Sequence, residues 1–428
     1  MKKIIITSFL LGAISVATFA QSGTNSPYSQ YGLGVLSDQS QGFNRGMGGL
    51  SYGLRYGNQV NMKNPASYSA VDSLSMIFDA GLSLQLTNFK ENGNSVNARN
   101  ADFEYAVGLF RILPKVGVSV GVLPFTNVGY SYSTTETIGS STTTSTQTYS
   151  GSGGIHQAYL GIGWNPIGGL SLGANISYLW GSYERTIAVT NSDASVNKLD
   201  KVYSATINSY KLDFGLQYVQ PISKNDVLTI GAVAGIKHKL GADASLVITN
   251  TNYVGDSTPN ETVVPDAFTL PLSLGAGFSW NHRNSLIFGA DYSLQKWGSV
   301  DFPVINEATD AYQLTSGVLK DRHQVTLGGE WIPNPFDARH FLNRVHYRLG
   351  VSYATPYINV RGQDGPKELS VSAGFGIPIF NIWNNRSMLN ISGQWVHSSA
   401  TGMLKENTFR INIGITFNER WFQKWKVQ

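Results

Sequence analysis

Alternation of apolar and polar residues constrains the fold of this chain more than any other feature. In the clearest segment, Ser171–Trp180, one set of alternate residues is apolar, and its members are Leu172, Ala174, Ile176, Tyr178 and Trp180. The intervening residues are small or polar, namely Ser171, Gly173, Asn175 and Ser177. A period of two places these sets on opposite faces of a β-strand. Helical periodicity is nearly absent, so the sequence predicts an all-β fold.

Fourteen segments after Ser73 show this alternation. They centre near residues 74–88, 102–112, 116–132, 155–165, 169–188, 202–220, 226–248, 263–281, 285–297, 318–332, 345–358, 367–378, 386–398 and 407–418. Every second link is short, at 113–115, 166–168, 221–225, 282–284 and 379–385, and most of the others are longer and polar, as at 133–154. Two links break this rule: link 333–344 is long although it belongs to the short series, and link 359–366 is short although it belongs to the long series. Short turns on one rim and long loops on the other are typical of outer-membrane β-barrels.

Lipid offers no hydrogen-bond partners, so a β structure can cross a bilayer only if it closes on itself. A secreted β-sandwich or propeller also alternates and has turn signals. However, aromatic residues end many of the apolar faces, where membrane-interface girdles belong. They are Trp164, Tyr178, Trp180, Trp280, Tyr292, Trp331, Tyr353 and Trp395. We therefore predict a transmembrane antiparallel β-barrel of about 14 strands over residues 72–418.

The N-terminus has the features of an export signal. Met1-Lys2-Lys3, an apolar stretch, and small residues before Gln21 predict a signal peptide over residues 1–20. A retained membrane anchor is the alternative, but the apolar run is short and interrupted. Export with a predicted barrel indicates the outer membrane of a Gram-negative cell. Residues 21–71 lack alternation and are predicted to form a plug in the lumen, whereas a linker outside the barrel is the alternative. Residues 419–428 are predicted to form a C-terminal periplasmic tail.

Composition and motifs argue against several function classes. The net charge is only +4 over 428 residues and cysteine is absent, so neither nucleic-acid binding nor a thiolate metal site is expected. The seven histidines lack metal-type spacing, and no nucleophile-elbow motif occurs. We expect no cofactor and no enzyme. Asp79, Asp213, Asp291 and Glu330 are predicted to face the lumen and anchor the plug, with Arg45 and Arg55 as plausible partners.

Four places in the sequence resemble a known family. Arg45-Gly46-Met47-Gly48-Gly49 and then Asn64-Pro65-Ala66 precede the first strand, and Gly121-Val122-Leu123-Pro124-Phe125 lies in the third. Leu270–Gly275, Asp291-Tyr292 and Trp297 form a further stretch, and the strand count agrees. Together they resemble the outer-membrane transporters of long-chain fatty acids and other hydrophobic compounds (the FadL/TodX type). The opening Asn25–Gly32 resembles plug starts in Bacteroidota members of that family.

The resemblance implies passive uptake of hydrophobic small molecules with release into outer-membrane lipid. It assigns a substrate path or gate to Asn64, Pro65, Ala66, Leu123, Pro124 and Phe125, and plug hinges to Gly46, Gly48 and Gly49. Pro124 has an independent physical interpretation. Proline has no backbone donor, so within a strand it interrupts pairing or marks a bulge. A kinked third strand would open the wall sideways, whereas a strand end near the rim would tolerate proline without a gap.

A second function remains open from the sequence. The barrel could serve, without transporting, as a partner-binding subunit of an outer-membrane assembly or protein-secretion complex. Its partners would then be other outer-membrane or periplasmic proteins. The long link 333–344, with Asp337, Arg339 and His340, is the predicted docking surface on the periplasmic side.

Overall fold

The computed structural model describes residues 23–73, 75–138, 142–306, 311–335, 337, 339–379 and 387–420. The predicted signal peptide, residues 1–20, and residues 421–428 of the predicted tail lie outside the described residues. Its strands in chain order are β1 (Val35–Leu36), β2 (Ser75–Glu91), β3 (Asn94–Leu113), β4 (Val116–Thr137), β5 (Thr144–Ile167), β6 (Leu170–Asn191), β7 (Lys198–Pro221), β8 (Asp226–Gly235), β9 (His238–Lys239), β10 (Ala244–Thr251), β11 (Ser257–Val264), β12 (Thr269–Leu270), β13 (Ser273–His282), β14 (Leu286–Gln295), β15 (Phe302–Asn306), β16 (Ala311–Thr315), β17 (Arg322–Trp331), β18 (His346–Ala354), β19 (Asn359–Val360), β20 (Gln363–Asp364), β21 (Lys367–Ile379), β22 (Ser387–Ser399) and β23 (Lys405–Arg420). The helical elements are α1 (Gly42–Arg45) and the 3₁₀ turns η1 (Pro27–Gln30), η2 (Pro65–Ala70), η3 (Trp297–Ser299) and η4 (Phe341–Arg344).

Fourteen of these strands form a closed antiparallel barrel. The order runs through β2–β8 and continues with β13, β14, β17, β18, β21, β22 and β23, which pairs back to β2. The predicted fourteen-stranded barrel is therefore confirmed. Within the described residues, the helical elements are too short to include a membrane-crossing helix.

The two faces of the wall differ as the alternation predicts. On β2, Phe78, Leu82 and Leu84 are exposed on the outer face, while Asp79 and Ser83 are buried on the inner face. Exposed aromatic side chains lie at both ends of the outer apolar band. Trp164 and Trp331 lie near the rim with the short turns, and Tyr292 and Tyr353 lie nearer the opposite, long-loop rim.

Several predicted links are in fact strand. β2 and β3 continue through the predicted link 89–101 and join at an Asn92–Gly93 turn, in which both residues have positive φ. Asn-Gly is a strong hairpin signal that the search for apolar alternation misses. Much of 133–154 also belongs to β4 and β5. Its Ser and Thr residues leave no apolar face to detect, although threonine favours strands.

Two predicted segments are interrupted. Segment 226–248 contains the wall strand β8 and then the separate strands β9 and β10. Segment 263–281 likewise joins the end of β11 and β12 to the wall strand β13. On the long-loop rim, β10 and β11 extend the sheet beside β7, and a buried apolar cluster packs beneath them. The alternation persists there because these strands also bury one face.

The leading segment, residues 23–72, which we call the plug, lies inside the barrel. Its backbone touches glycines on the inner face of the wall. A Cβ atom on Gly231 would lie 1.8 Å from the Tyr52 carbonyl oxygen, and one on Gly117 would lie 2.1 Å from that of Tyr68. A Cβ on Gly350 would lie 2.0 Å from the Met47 carbonyl carbon. Glycine at these inward positions therefore gives the plug the space it occupies.

Candidate functional site: a gap in the barrel wall

The barrel wall is split between β3 and β4. Their ladder runs from Leu113↔Val116 to Ala106↔Val122 and stops there. β3 extends from that point up to Asn94 and β4 up to Thr137, but no further rung joins them in the described residues. The split therefore covers the half of the wall nearer the long-loop rim.

Pro124 lies two residues beyond the last rung to β3. On its other side, β4 pairs with β5 through Pro124↔His156 and then Thr126↔Ile155, so Phe125 is the extra residue of a β-bulge. The bulge changes the alternation, because Leu123 and Thr126 are both buried although they are three residues apart. A bulge bends a strand and ends regular pairing, which accounts for the position of the split.

The plug covers the β4 side of this gap. β1 pairs with β4 through Val35↔Asn127 and Leu36↔Thr126. The Ser37 amide donates to the Phe125 carbonyl oxygen at 3.0 Å, and Gln39 Nε2 donates to the Pro124 carbonyl oxygen at 2.9 Å. The predicted gate residues Leu123, Pro124 and Phe125 therefore lie where plug and wall meet.

A cavity of about 1650 Å³ lies in the lumen and is lined in part by plug residues, among them Ser37, Gln39 and Tyr52. Its lining includes lumen-facing residues such as Arg410 and Gln394, and also Phe103, Ala106 and Val122 on the outer face beside the gap. The cavity therefore reaches the outer face of the wall at the split. Its polar lining includes the ion pairs Lys211–Asp213 (2.7 Å) and Arg322–Glu368 (3.1 Å).

A buried arginine fixes the centre of the plug to the wall. Arg45 Nη2 lies 2.8 Å from Glu104 Oε2, and Arg45 Nη1 donates to Asn412 Oδ1 at 2.9 Å. Arg45 Nε donates to the Ser40 carbonyl oxygen within the plug at 3.0 Å. The Arg45 side chain is 1% exposed, so this ion pair is shielded from water and links β3, β23 and the plug.

Two of the four predicted lumen carboxylates also hold the plug. Asp291 Oδ2 accepts hydrogen bonds from the Ser51 and Tyr52 amides, at 2.6 and 3.0 Å. Glu330 accepts one from the Tyr56 hydroxyl and pairs with Arg348 of the wall. Asp79 and Asp213 instead bond to the wall residues Tyr105 and Lys211.

The suggested arginine partners of these four carboxylates were wrong. Arg45 pairs with Glu104, and Arg55 donates to the Ala66 carbonyl oxygen, Gln217 and Ser69. The sequence pattern could place a carboxylate on the inner face, but it could not say which plug residue would lie opposite.

A family model described as BamG matches residues 1–428. The chain belongs to the BamG family. No curated protein matches it in sequence.

Solved structures show which fold the BamG-family chain has. The CymD monoaromatic hydrocarbon channel aligns with a TM-score of 0.59 at 16% identity, over 92% of this chain and 100% of its own. The toluene transporter TbuX of Ralstonia pickettii gives 0.58 at 16%, over 88% and 97%. A FadL homologue of Pseudomonas aeruginosa gives 0.56 at 10%, over 90% and 98%. The fold is therefore of the FadL/TodX type, as the sequence motifs indicated. These proteins are described as channels, transporters or homologues of them, and not as enzymes.

The predicted Asn-Pro-Ala motif of this BamG-family chain lies near the short-turn rim. Asn64 caps η2, since its Oδ1 accepts from the Ala66 amide, and its Nδ2 donates to the carbonyl oxygens of Tyr52 and Leu216. Pro65 packs against Gly173 of β6. The motif is thus held by a different part of the wall from Pro124, and its gate role stays a prediction.

The three predicted hinge glycines differ in conformation. Gly46 ends α1 with helical angles, whereas Gly48 and Gly49 have φ of 69° and 85°, which favours glycine. The Gly48 amide donates to Ser372 Oγ of β21 at 2.8 Å, and the Gly49 amide donates to the Asn44 carbonyl oxygen at 2.9 Å. Both glycines are anchored in the observed state, and hinge motion stays a prediction.

Gly231→Ala in this BamG-family barrel is expected to displace the plug. The new methyl group would overlap the Tyr52 carbonyl oxygen, which is backbone and cannot rotate away. Overpacking of this kind costs about 1–3 kcal/mol. Faster proteolysis of residues 40–70 in the folded barrel would measure it. Gly393→Ala is the matched control, because its methyl group meets no atom closer than 3.8 Å; equal proteolysis of the two variants would contradict the expectation.

Proposed function

We propose that the protein is an outer-membrane channel for passive uptake of hydrophobic compounds, such as long-chain fatty acids. One observation carries this proposal: the cavity of about 1650 Å³ in the lumen continues to the split between β3 and β4. The FadL/TodX-type fold, shared with proteins described as a monoaromatic hydrocarbon channel and a toluene transporter, supports it.

The proposed route is lateral. A compound enters the cavity from the long-loop rim, passes Leu123, Pro124 and Phe125, and leaves between β3 and β4 into the outer layer of the membrane. Phe103, Ala106 and Val122 border this exit with apolar side chains. Burial of apolar surface, at about 25 cal/mol per Å², would drive both binding in the cavity and release into lipid. The compound would move down its concentration gradient, because the proposed route requires only that it partition into the cavity and then into lipid.

Plug movement is the proposed gate. β1 and the Ser37–Gln39 turn cover the β4 edge of the gap, where the β1 ladder and hydrogen bonds of Ser37 and Gln39 hold them against β4. A ligand that binds better when this segment has moved would shift the population toward the open state. The deeper part of the plug, around Arg45, would stay in place and keep the lumen closed toward the short-turn rim.

Uptake of a radiolabelled fatty acid tests this route. Cells lacking the native gene would express the wild type, Pro124→Ala, or a chain without residues 21–71. We expect Pro124→Ala to lower uptake several-fold, because the restored amide donor and relaxed bulge would let β4 pair further along β3. The plug-deleted chain is expected to admit polar solutes as well. Equal fatty-acid uptake by all three strains, at equal barrel levels in the membrane, would refute the lateral route.

A second function is favoured by the link between β17 and β18. On this rim the other described turns are short, whereas this link forms η4 and exposes Phe341 and Leu342. Asp337 organises it by accepting from Asn343 Nδ2 at 2.6 Å and from the His340 and Arg339 amides. These hydrogen bonds, the Asn343 one foremost, hold the Asp337 pKa well below its usual range. An ordered link with exposed apolar residues suits a partner-binding subunit of an outer-membrane assembly or secretion complex.

A further inference from the structure

Among the residues that the structure describes, the half of β3 nearer the long-loop rim has one unpaired edge. From Asn94 to Tyr105 it pairs with β2, except at the bulged residue Glu104, and its ladder to β4 begins only at Ala106. Neighbouring residues of a strand direct their N–H and C=O groups to opposite edges. The contacts described for this stretch on the gap side use side-chain atoms, such as Asn100 Oδ1, and not its backbone. The outer face of this stretch is apolar at Ala101 and Phe103, and backbone groups that lie at membrane depth are normally satisfied within protein.

The two edges of the gap are not equivalent. The plug satisfies β4 through β1, and Ser29 Oγ bonds both the N–H and the C=O of Gly129. In the described residues, the plug bonds only to side chains of β3; for example, Asn25 Nδ2 donates to Asn100 Oδ1 at 2.9 Å, and the Gly42 amide donates to the Tyr105 hydroxyl at 2.6 Å. Within that part of the chain, the unpaired edge of the gap therefore belongs to β3.

We propose that the β3 edge from Asn94 to Tyr105 binds an extended segment of a second protein, which joins the barrel as an antiparallel strand. Strand addition to an open edge is a common mode of peptide recognition, in which main-chain hydrogen bonds supply affinity. β3 runs from the long-loop rim toward the short-turn rim, so the added segment runs toward the long-loop rim, as β4 does.

The side chains along the edge define the chemistry of that segment. The outward residues Phe103 and Ala101 are apolar, whereas Arg99, Asn97 and Ser95 further along the outer face are polar. On the inner face, Asp102 contacts Gly23 of the plug, which lies between it and Asn127 of β4. The bound segment is therefore apolar on its outer face opposite Ala101 and Phe103, and polar toward the long-loop rim. A lysine or arginine opposite Asp102 would place opposite charges across the new rung, and such cross-strand pairs are favourable.

A second copy of this chain does not fit the edge. Barrel strands tilt by about 35–45° from the membrane normal. A two-fold axis along that normal would cross the two β3 strands at twice the tilt, about 70–90°, which prevents a ladder. The proposed partner is thus a different polypeptide. A bound segment would also narrow the lateral gap, so strand binding and lateral passage would compete, but neither requires the other.

Photo-crosslinking in native outer membranes tests this proposal. A benzophenone amino acid would replace, one at a time, Val96, Arg99 and Ala101, and mass spectrometry would map the crosslinked peptides. We expect crosslinks within one segment of one protein, at positions whose order runs opposite to that of β3. The control position is Leu349, which is exposed on the outer face of β18 where both edges are paired. Crosslinks to lipid alone, or to proteins without this reversed order, would overturn the proposal.

Two adjacent proline variants make the test independent of side-chain contacts. Arg99→Pro and Asn100→Pro remove amides that point to opposite edges of β3, so one of them leaves the pairing with β2 intact. That variant is expected to retain heat-modifiable migration as a folded barrel and to lose the ordered crosslinks from Val96. If both proline variants fold and both keep the ordered crosslinks, that result would contradict strand addition. Uptake of fatty acid would be unaffected by such a failure, so the two proposals are separable.

Discussion

Arg45→Met is expected to release the plug and open the pore. The substitution removes the cation from a buried ion pair and leaves Glu104 without its partner, beside the lumen residues Asn412 and Ser83. Breaking a buried pair by removing one partner costs about 3–5 kcal/mol. Single-channel recording in planar bilayers is expected to show large, frequent openings that the wild type lacks, since the backbone around Gly42–Gly49 would lose its anchor.

The matched control is Arg283→Met, which removes the same charge from an exposed turn on the short-turn rim. It is expected to leave conductance at the wild-type level. A second control pairs Arg45→Met with Glu104→Gln, which removes the unpaired charge and should recover part of the closure. Wild-type conductance in Arg45→Met, with the barrel folded, would show that the plug is held mainly elsewhere, through Asp291 and Glu330.

A disulfide between β1 and β4 is expected to abolish uptake. Leu36 and Thr126 are register partners, and paired Cα atoms in antiparallel strands are about 4.5–5.5 Å apart, within the range that a disulfide spans. The natural chain contains no cysteine, so Leu36→Cys with Thr126→Cys forms one defined bond. If the plug segment must leave the gap for passage, oxidised cells should take up labelled fatty acid at the background rate. A reductant should restore uptake.

Thr251→Cys with Ser257→Cys provides a control disulfide, because these register partners, whose hydroxyl oxygens lie 3.0 Å apart, join β10 and β11 away from the gap. This bond should leave uptake unchanged in either redox state. Full uptake through the oxidised Leu36–Thr126 variant would contradict gating by β1. It would leave open a route through the cavity that does not need plug movement.

Much of the wall could be predicted from local sequence because its rules are local. Alternation along β6 and β23 fixes which face meets lipid, and Pro124 marks where regular pairing ends. The hairpin at Asn92–Gly93 could also have been predicted from the sequence, but a search for apolar alternation does not detect turn residues. Inward glycines such as Gly231 also indicated a plug, because a strand whose inward positions lack side chains leaves room for another segment to pack against it.

The path of the plug could not be predicted in this way. Arg45 meets Glu104 across 59 residues of chain and Asn412 across 367. The bulge at Phe125 reverses which residues of β4 face inward. A uniform alternation would therefore assign the later residues of β4 to the wrong face of the wall. Asp79 and Asp213 proved to bond to wall residues instead: Tyr105 on the neighbouring strand, and Lys211 two residues away on the same strand.

The sequence by itself determined an all-β, fourteen-stranded barrel with an apolar exterior, because alternation and turn residues act between near neighbours along the chain. Only the tertiary structure decided that β3 and β4 separate beyond Ala106 and Val122, and that the plug satisfies one edge of that gap and not the other. Those features depend on hydrogen bonds between segments far apart in the chain. Such bonds form only where the closed barrel brings the segments together.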